Sequence, residues 1–157
     1  MPLNFLPTGT LLTITPLSGA SSLQLTPYSA RGLTQTYEVL RAEGENAWLR
    51  RDVNAVLQSL VDTRFRKYRT TVTCTDGETP CLDDAWIGQE VSIDCAFEFS
   101  YPTSGTPARP VVSGSSRTQG DFTYYRPTLT CLCKDIRVAG FQEYRASYSW
   151  QIDFEEK

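Results

Sequence analysis

Ala146, Tyr148, Trp150, Ile152 and Phe154 alternate with Ser147, Ser149, Gln151, Asp153 and Glu155. A period of two this strict puts large apolar side chains on one face of an extended strand and polar ones on the other. A helix would scatter the same residues around its circumference. The pattern recurs at Val91, Ile93, Cys95, Phe97 and Phe99, set against Ser92, Asp94, Ala96, Glu98 and Ser100. Two such strands imply a β-built domain with one face of each strand buried. Function is then expected on surfaces and loops.

The 157 residues suffice for one well-buried domain and are short for two. A net charge of −3 and a pI near 5.0 give the molecule as a whole no electrostatic attraction to nucleic acid. No apolar run approaches the roughly 20 residues of a membrane helix. The start, Met1-Pro2-Leu3-Asn4-Phe5, lacks the basic residues and apolar core of a signal peptide. The chain is therefore expected to be made in the cytoplasm and to stay there until something larger carries it out.

Cysteines occur at 74, 81, 95, 131 and 133, and there is no histidine. Cys74, Cys95, Cys131 and Cys133 fall on the apolar side of expected strands, with Leu129 beside the last two, so they are read as core. A Cys74–Cys81 bridge across the intervening loop is the other reading for that pair, although nothing indicates an oxidising compartment. Cys131-Leu132-Cys133 is the wrong spacing for a zinc knuckle. Without histidine, the commonest general base and the Ser-His and Cys-His nucleophile pairs are missing. Asp76, Glu78, Asp83 and Asp84 gather in one expected turn. They read as a solvated, self-bonded turn, or as a calcium site lacking the ligand spacing of an EF-hand. No metal or cofactor is expected.

Residues 1–9 are expected to form an extended arm, broken by Pro2, Pro7 and Gly9. Segments 10–15 and 22–26 read as a hairpin, 27–32 as a connector and 33–39 as a third strand. Segment 48–61 is ambiguous. Val53, Val56, Leu57 and Leu60 fit the face of one short helix, while Asp52-Val53-Asn54-Ala55 fits a turn between two short strands. The surrounding β pattern favours strands. Strands are also expected at 68–75, at 91–101 after a turn at 86–89, and at 121–134. Residues 135–141, with Gly140, are expected to turn the chain into the final strand, 142–155. Segment 102–120, rich in Pro, Gly and Ser, reads as a long inserted loop, flexible or ordered at an interface. The expected fold is a mainly β, single-domain antiparallel sandwich or barrel spanning 10–157.

Arg64-Phe65-Arg66-Lys67-Tyr68-Arg69 is the densest basic cluster. Alternation leaves neither of its faces uniformly basic, which favours pairing with acidic residues across a strand or subunit boundary over tracking a phosphate backbone. Trp48, Trp86, Tyr124, Tyr125, Tyr144, Tyr148 and Trp150 are candidates for a sugar-stacking platform, for interface anchors or for core. Trp150, on the buried stripe, reads as core. There is neither a phosphate-cradling glycine loop nor a nucleophile elbow.

Several segments together resemble a group of small proteins encoded in the structural-gene clusters of tailed bacteriophages and proteobacterial prophages. They are Thr8-Gly9-Thr10-Leu11-Leu12, Tyr28-Ser29-Ala30-Arg31-Gly32-Leu33-Thr34-Gln35-Thr36, Phe65-Arg66-Lys67-Tyr68-Arg69-Thr70, Trp86-Ile87-Gly88, Pro110-Val111-Val112-Ser113-Gly114-Ser115-Ser116-Arg117-Thr118 and the ending from Trp150 to Glu156. The resemblance spans most of the chain and carries no catalytic residues. It implies a virion component without saying which one, and the lack of a catalytic constellation in the residues makes a non-enzymatic structural subunit the expected reading. The expected place is the tail, tail tip or head-to-tail connection, with capsid decoration or a glycan- or receptor-binding module on the tail as alternatives. The expected partners are copies of itself and other virion proteins, with a host glycan the weaker option, and neither nucleic acid nor membrane. Phe5, Arg31, Arg66, Arg69, Arg109, Val111, Val112 and Arg117 are the candidate subunit-interface residues. Arg109 and Arg117 would be the charge-pairing anchors of the 102–120 loop.

Overall fold

A computed structural model describes residues 11–17, 32–40, 48–60, 66–76, 85–144 and 147–157. The expected arm at 1–9, most of the 10–15/22–26 hairpin, Cys81, Glu78, Asp83 and Asp84 lie outside them. Eleven strands follow in order among the described residues: β1 (Thr13–Pro16), β2 (Leu33–Val39), β3 (Leu49–Arg51), β4 (Leu57–Ser59), β5 (Tyr68–Asp76), β6 (Glu90–Asp94), β7 (Phe99–Pro102), β8 (Arg117–Gln119), β9 (Phe122–Tyr125), β10 (Thr128–Gln142) and β11 (Ser147–Glu156). Six form an antiparallel sheet in the order β1-β6-β10-β11-β5-β2. Three more form a small sheet, β7-β9-β8, and β3 and β4 pair only with each other. The fold is mainly β and antiparallel, with a sandwich-like arrangement of the two larger sheets.

The alternating stripe lies in the middle of the large sheet. Ile152 sits between Ile136 of β10 and Val72 of β5, Trp150 between Val138 and Cys74, and Phe154 between Cys133 and Thr70. Trp150, Ile152 and Phe154 are buried, as are Leu129, Cys131, Cys133, Val91, Ile93, Val72 and Cys74 on the neighbouring strands. Burying each large side chain contributes about 1.5–3 kcal/mol, so this one face is the main source of stability. The four described cysteines belong to it, as their spacing on the strands implied.

Two expected boundaries are corrected. Residues 135–141 do not turn the chain; β10 runs through them to Gln142. Register shifts at Cys133/Asp135 and Val138/Gly140 mark two bulges. The first moves the inward set from the odd positions 129, 131 and 133 to Ile136, while Val138 beyond it is exposed. A single extra residue flips the parity, so the sequence there looks like the end of a strand. Gly140 serves the second bulge, not a turn.

Nor is 91–101 one strand. β6 ends at Asp94, and residues 95–98 carry the chain into β7 in the other sheet. The opposing strand breaks likewise at Arg126 and Pro127, between β9 and β10. Four residues face two across this corner, so one antiparallel ribbon bends and supplies strands to both layers. Alternation continues unbroken through Cys95, Phe97 and Phe99, which hides the bend. The bent backbone needs substitute partners. Cys95 N donates to Pro127 O (3.0 Å) and Ala96 N to the Gln35 Oε1 of β2 (2.8 Å). Thr128 N donates to Pro110 O (2.9 Å), Val112 N to Arg126 O (2.9 Å) and Arg126 N to Ser115 Oγ (3.1 Å). Segment 110–115 therefore seals the corner, and within the single chain the 102–120 segment is already fastened and carries β8.

In segment 48–60 the structure has two strands and a turn, not a helix. The reading from Asp52-Val53-Asn54-Ala55 is the one realised.

Candidate assembly surfaces

The buried stripe does not stop at Phe154. Glu156 lies opposite Cys131, so its carboxylate enters the same covered face and is only 8% exposed. A charge in that position requires a partner and further hydrogen bonds. Arg109 supplies two, from Nε to Oε1 (2.5 Å) and from Nη2 to Oε2 (3.1 Å), and Tyr68 N donates to Oε2 (3.0 Å). Arg109 also donates to Arg66 O (2.7 Å) and Ala108 O (2.9 Å), with its guanidinium 5.5 Å from the Tyr68 ring centre. The Glu156 hydrogen bond holds the Arg109 pKa above its ordinary value.

Beside this ion pair the two sheets part into an open groove of about 330 Å³. Its walls are Tyr37, Val39, Tyr68 and Phe99, with Arg66 and Glu98 at the rim and Ser100 and Ala108 opposite. The aromatic rings brace one another. Tyr37 and Phe97 lie 4.3 Å apart, Tyr37 and Phe99 meet edge-on at 5.2 Å, and Tyr68 and Phe99 are 5.1 Å apart. Tyr125, 2% exposed, forms the floor, and burial pushes its hydroxyl pKa up. Glu98 is held in its charged form by Arg117, which donates from Nη2 (2.8 Å) and lowers its pKa. The result is an open slot of mixed polar and aromatic lining, with one cation and one anion among its residues.

The candidate interface residues distribute as follows. Arg66 stands at the groove, 5.5 Å from the Tyr68 ring centre. Arg69 bridges Glu38 of β2 (3.1 Å) and Glu155 of β11 (3.6 Å), the cross-strand pairing its position implied. Arg109 and Arg117 find their carboxylates within the same chain, at Glu156 and Glu98. Val111 bridges Pro127 and Val112 holds Arg126, so both serve the corner. Phe5 and Arg31 lie outside the described residues. The candidate aromatic platform does not converge. Trp150 and Tyr125 are buried, Tyr124 lies under Arg117 at 4.5 Å, and Trp86 is 45% exposed on its own turn. Sequence reasoning missed the groove because Tyr37 and Val39 read only as part of the strand at 33–39. The signal was their place at the end of a strand that has no neighbour on its outer side among the described residues.

The second surface is the β3–β4 hairpin. Leu49, Val56, Leu57 and Leu60 are exposed, and Val53 at the tip is 101% exposed. Among the described residues no hydrogen bond or ion pair joins the hairpin to either larger sheet. It is nevertheless well fastened to itself. Asp52 Oδ1 accepts from Asn54 N (2.8 Å) and Val56 N (3.0 Å), and Asp52 Oδ2 from Gln58 Nε2 (3.3 Å). Those backbone bonds lower the Asp52 pKa. Arg51 Nη1 donates to Ala55 O (2.7 Å). Ala55 adopts φ +63°, a left-handed conformation that a residue with a Cβ disfavours by about 1–2 kcal/mol. Replacing Ala55 with glycine is expected to slow hydrogen exchange of the Asp52 and Leu60 amides by roughly fivefold to thirtyfold, corresponding to that strain. Unchanged exchange would show that the strain is absorbed elsewhere.

No family model, curated protein or solved structure matches this chain.

Proposed function

We propose that this chain is a non-enzymatic structural subunit of a tailed-phage virion, in the tail, tail tip or head-to-tail connection. The observation that carries the reading is the hairpin: five apolar side chains held in a fixed turn and left uncovered. Ordering such an element without burying it costs free energy in the isolated chain, and assembly is what repays it. The segments that resemble virion proteins support the same reading, and the domain around the hairpin is fastened by its own ion pairs. Capsid decoration is the near alternative.

Immunogold labelling of purified particles from a phage carrying this gene tests it. Label at the tail or neck is the expected result, and label over the capsid faces selects decoration. Absence of the protein from intact particles would sink the proposal. Trp86, exposed beside Ile87, favours one second reading, a glycan-binding module on the tail. Host polysaccharide would then shift the tryptophan fluorescence of the wild type but not of Trp86→Ala.

A further inference from the structure

β2 is one edge of the six-stranded sheet, and among the described residues no strand lies beyond it. The register decides which of its backbone groups face outward. Leu40 N donates to Lys67 O (2.9 Å), so by antiparallel alternation the peptide groups of Thr34, Thr36 and Glu38 also point at β5. Those of Leu33, Gln35, Tyr37 and Val39 point away from it. Such a row of donors and acceptors is a template for another strand, and edges are ordinarily blunted by proline, lysine, a bulge or shortness. The opposite edge, β1, has 4 residues and contains Pro16. β2 has 7, Leu-Thr-Gln-Thr-Tyr-Glu-Val, in unbroken register with β5 and with none of these devices. From Thr36 onward all of it is exposed.

The edge is complementary to itself. When two copies of β2 run antiparallel about a two-fold axis at Thr36, the pairing covers the whole strand. Leu33 faces Val39 of the second copy and Gln35 faces Tyr37, and at these positions the outward peptide groups meet. Thr34 faces Glu38, and Thr36 faces its own counterpart. Apolar meets apolar, threonine meets threonine, and the one charge meets a hydroxyl. That charge is already balanced within its own chain by Arg69, at 3.1 Å. Moving the axis to Gln35 or Tyr37 shortens the pairing, and moving it to Glu38 opposes two carboxylates. We infer that two copies of this chain join β2 to β2 about a two-fold axis at Thr36, making one continuous sheet of their two six-stranded sheets. The contact is isologous and closes as a dimer. Main-chain hydrogen bonds supply its affinity and the cross-strand pairs its register. The inference deepens the structural-subunit reading, on which it rests for a neighbour of the same kind.

The experiment is sedimentation analysis of the full chain over a concentration series, with amide exchange measured at its two ends. The wild type is expected to form a dimer and to grow no further through this edge. Dimerisation is expected to slow exchange at Gln35, Tyr37 and Val39 by roughly tenfold or more, and to change Thr34, Thr36 and Glu38, already bonded to β5, much less. Thr36→Lys sets two ammonium groups face to face at an exposed position and leaves the main chain untouched. It is expected to weaken the dimer roughly tenfold or more, and Thr36→Glu to do the same. Mixing the two variants is expected to restore a dimer at least as tight as the wild type, which also shows that both fold. A wild type monomeric at every concentration overturns the inference. So does a dimer indifferent to Thr36→Lys, or a mixture no tighter than either variant alone. Each of these results leaves the virion reading standing, because the gold label reports where the protein is and not which strand it pairs.

Discussion

Replacing Glu156 with alanine is expected to lower the unfolding free energy by about 2–3 kcal/mol, read as a fall in the urea midpoint at unchanged slope. Removing one member of a buried pair ordinarily costs about 3–5 kcal/mol, because the other charge is left uncompensated. Here Arg109 retains one-fifth of its side-chain exposure, so water relieves part of that penalty. The Tyr68 amide loses its acceptor at the same time, which water replaces less readily on a buried strand. Arg109→Ala is expected to cost a comparable amount, and the double variant less than the sum, since each single change already breaks the pair. Additive losses would mean that the two side chains act independently. The 102–120 segment should loosen with either change, visible as faster amide exchange at Val112 and Thr128, whose bonds it supplies.

Alkaline pH is expected to unfold the protein steeply. Burial pushes the Cys95 and Cys131 thiols up to about 12 and Cys133 up to about 11, from an ordinary value of 9.0. Between pH 9 and 11 the unfolded chain therefore gives up these protons while the folded chain keeps them. Folded pKa values above the unfolded ones mean that stability is complete below pH 9 and is lost as pH rises. Each such thiol removes about 1.4 kcal/mol per pH unit in that window, and three remove roughly 4. Against the 5–15 kcal/mol typical of a domain, this brings unfolding by about pH 11. Circular dichroism of urea unfolding at successive pH values measures the slope, and Cys133→Ala should reduce it by about a third. A slope insensitive to that substitution would show that other groups control the alkaline limit. In the native protein at neutral pH the same three thiols should resist alkylation until the chain opens.

The β class was legible because Trp150, Ile152 and Phe154 keep one phase over their whole strand, and their register partners on β5, Cys74, Val72 and Thr70, are themselves buried. Strand identity survived where the phase held and the backbone ran without a break, as at β2 and β5. It failed where a local irregularity either changed the phase or left it unchanged. The bulge after Cys133 changed it and disguised a continuous strand as a turn. The corner at 95–98 preserved it and disguised two strands as one. Periodicity reports which way side chains point, and both errors concern where the backbone goes. Arg109 was singled out as a charge anchor, but its carboxylate was not. Glu156 is the next inward position of the opening stripe, and its parity was the available clue. The groove was invisible for a different reason. It needs Tyr37 and Phe99, 62 positions apart in sequence, to meet across two sheets, and no local pattern encodes that meeting.

The place of β11 in the large sheet has a kinetic consequence. The strand lies between β10 and β5 and is the only link between the β1-β6-β10 and β5-β2 parts of the large sheet among the described residues. During synthesis, β5 and β10 emerge first and have no common neighbour until residues 147–156 follow. Every earlier length of chain holds two unjoined half-sheets, each exposing apolar residues that a complete sheet would cover. The groove, whose wall on the β2–β5 side depends on that junction, comes into being only after the final strand is inserted. The hairpin, which is local in sequence, can therefore form before the groove does.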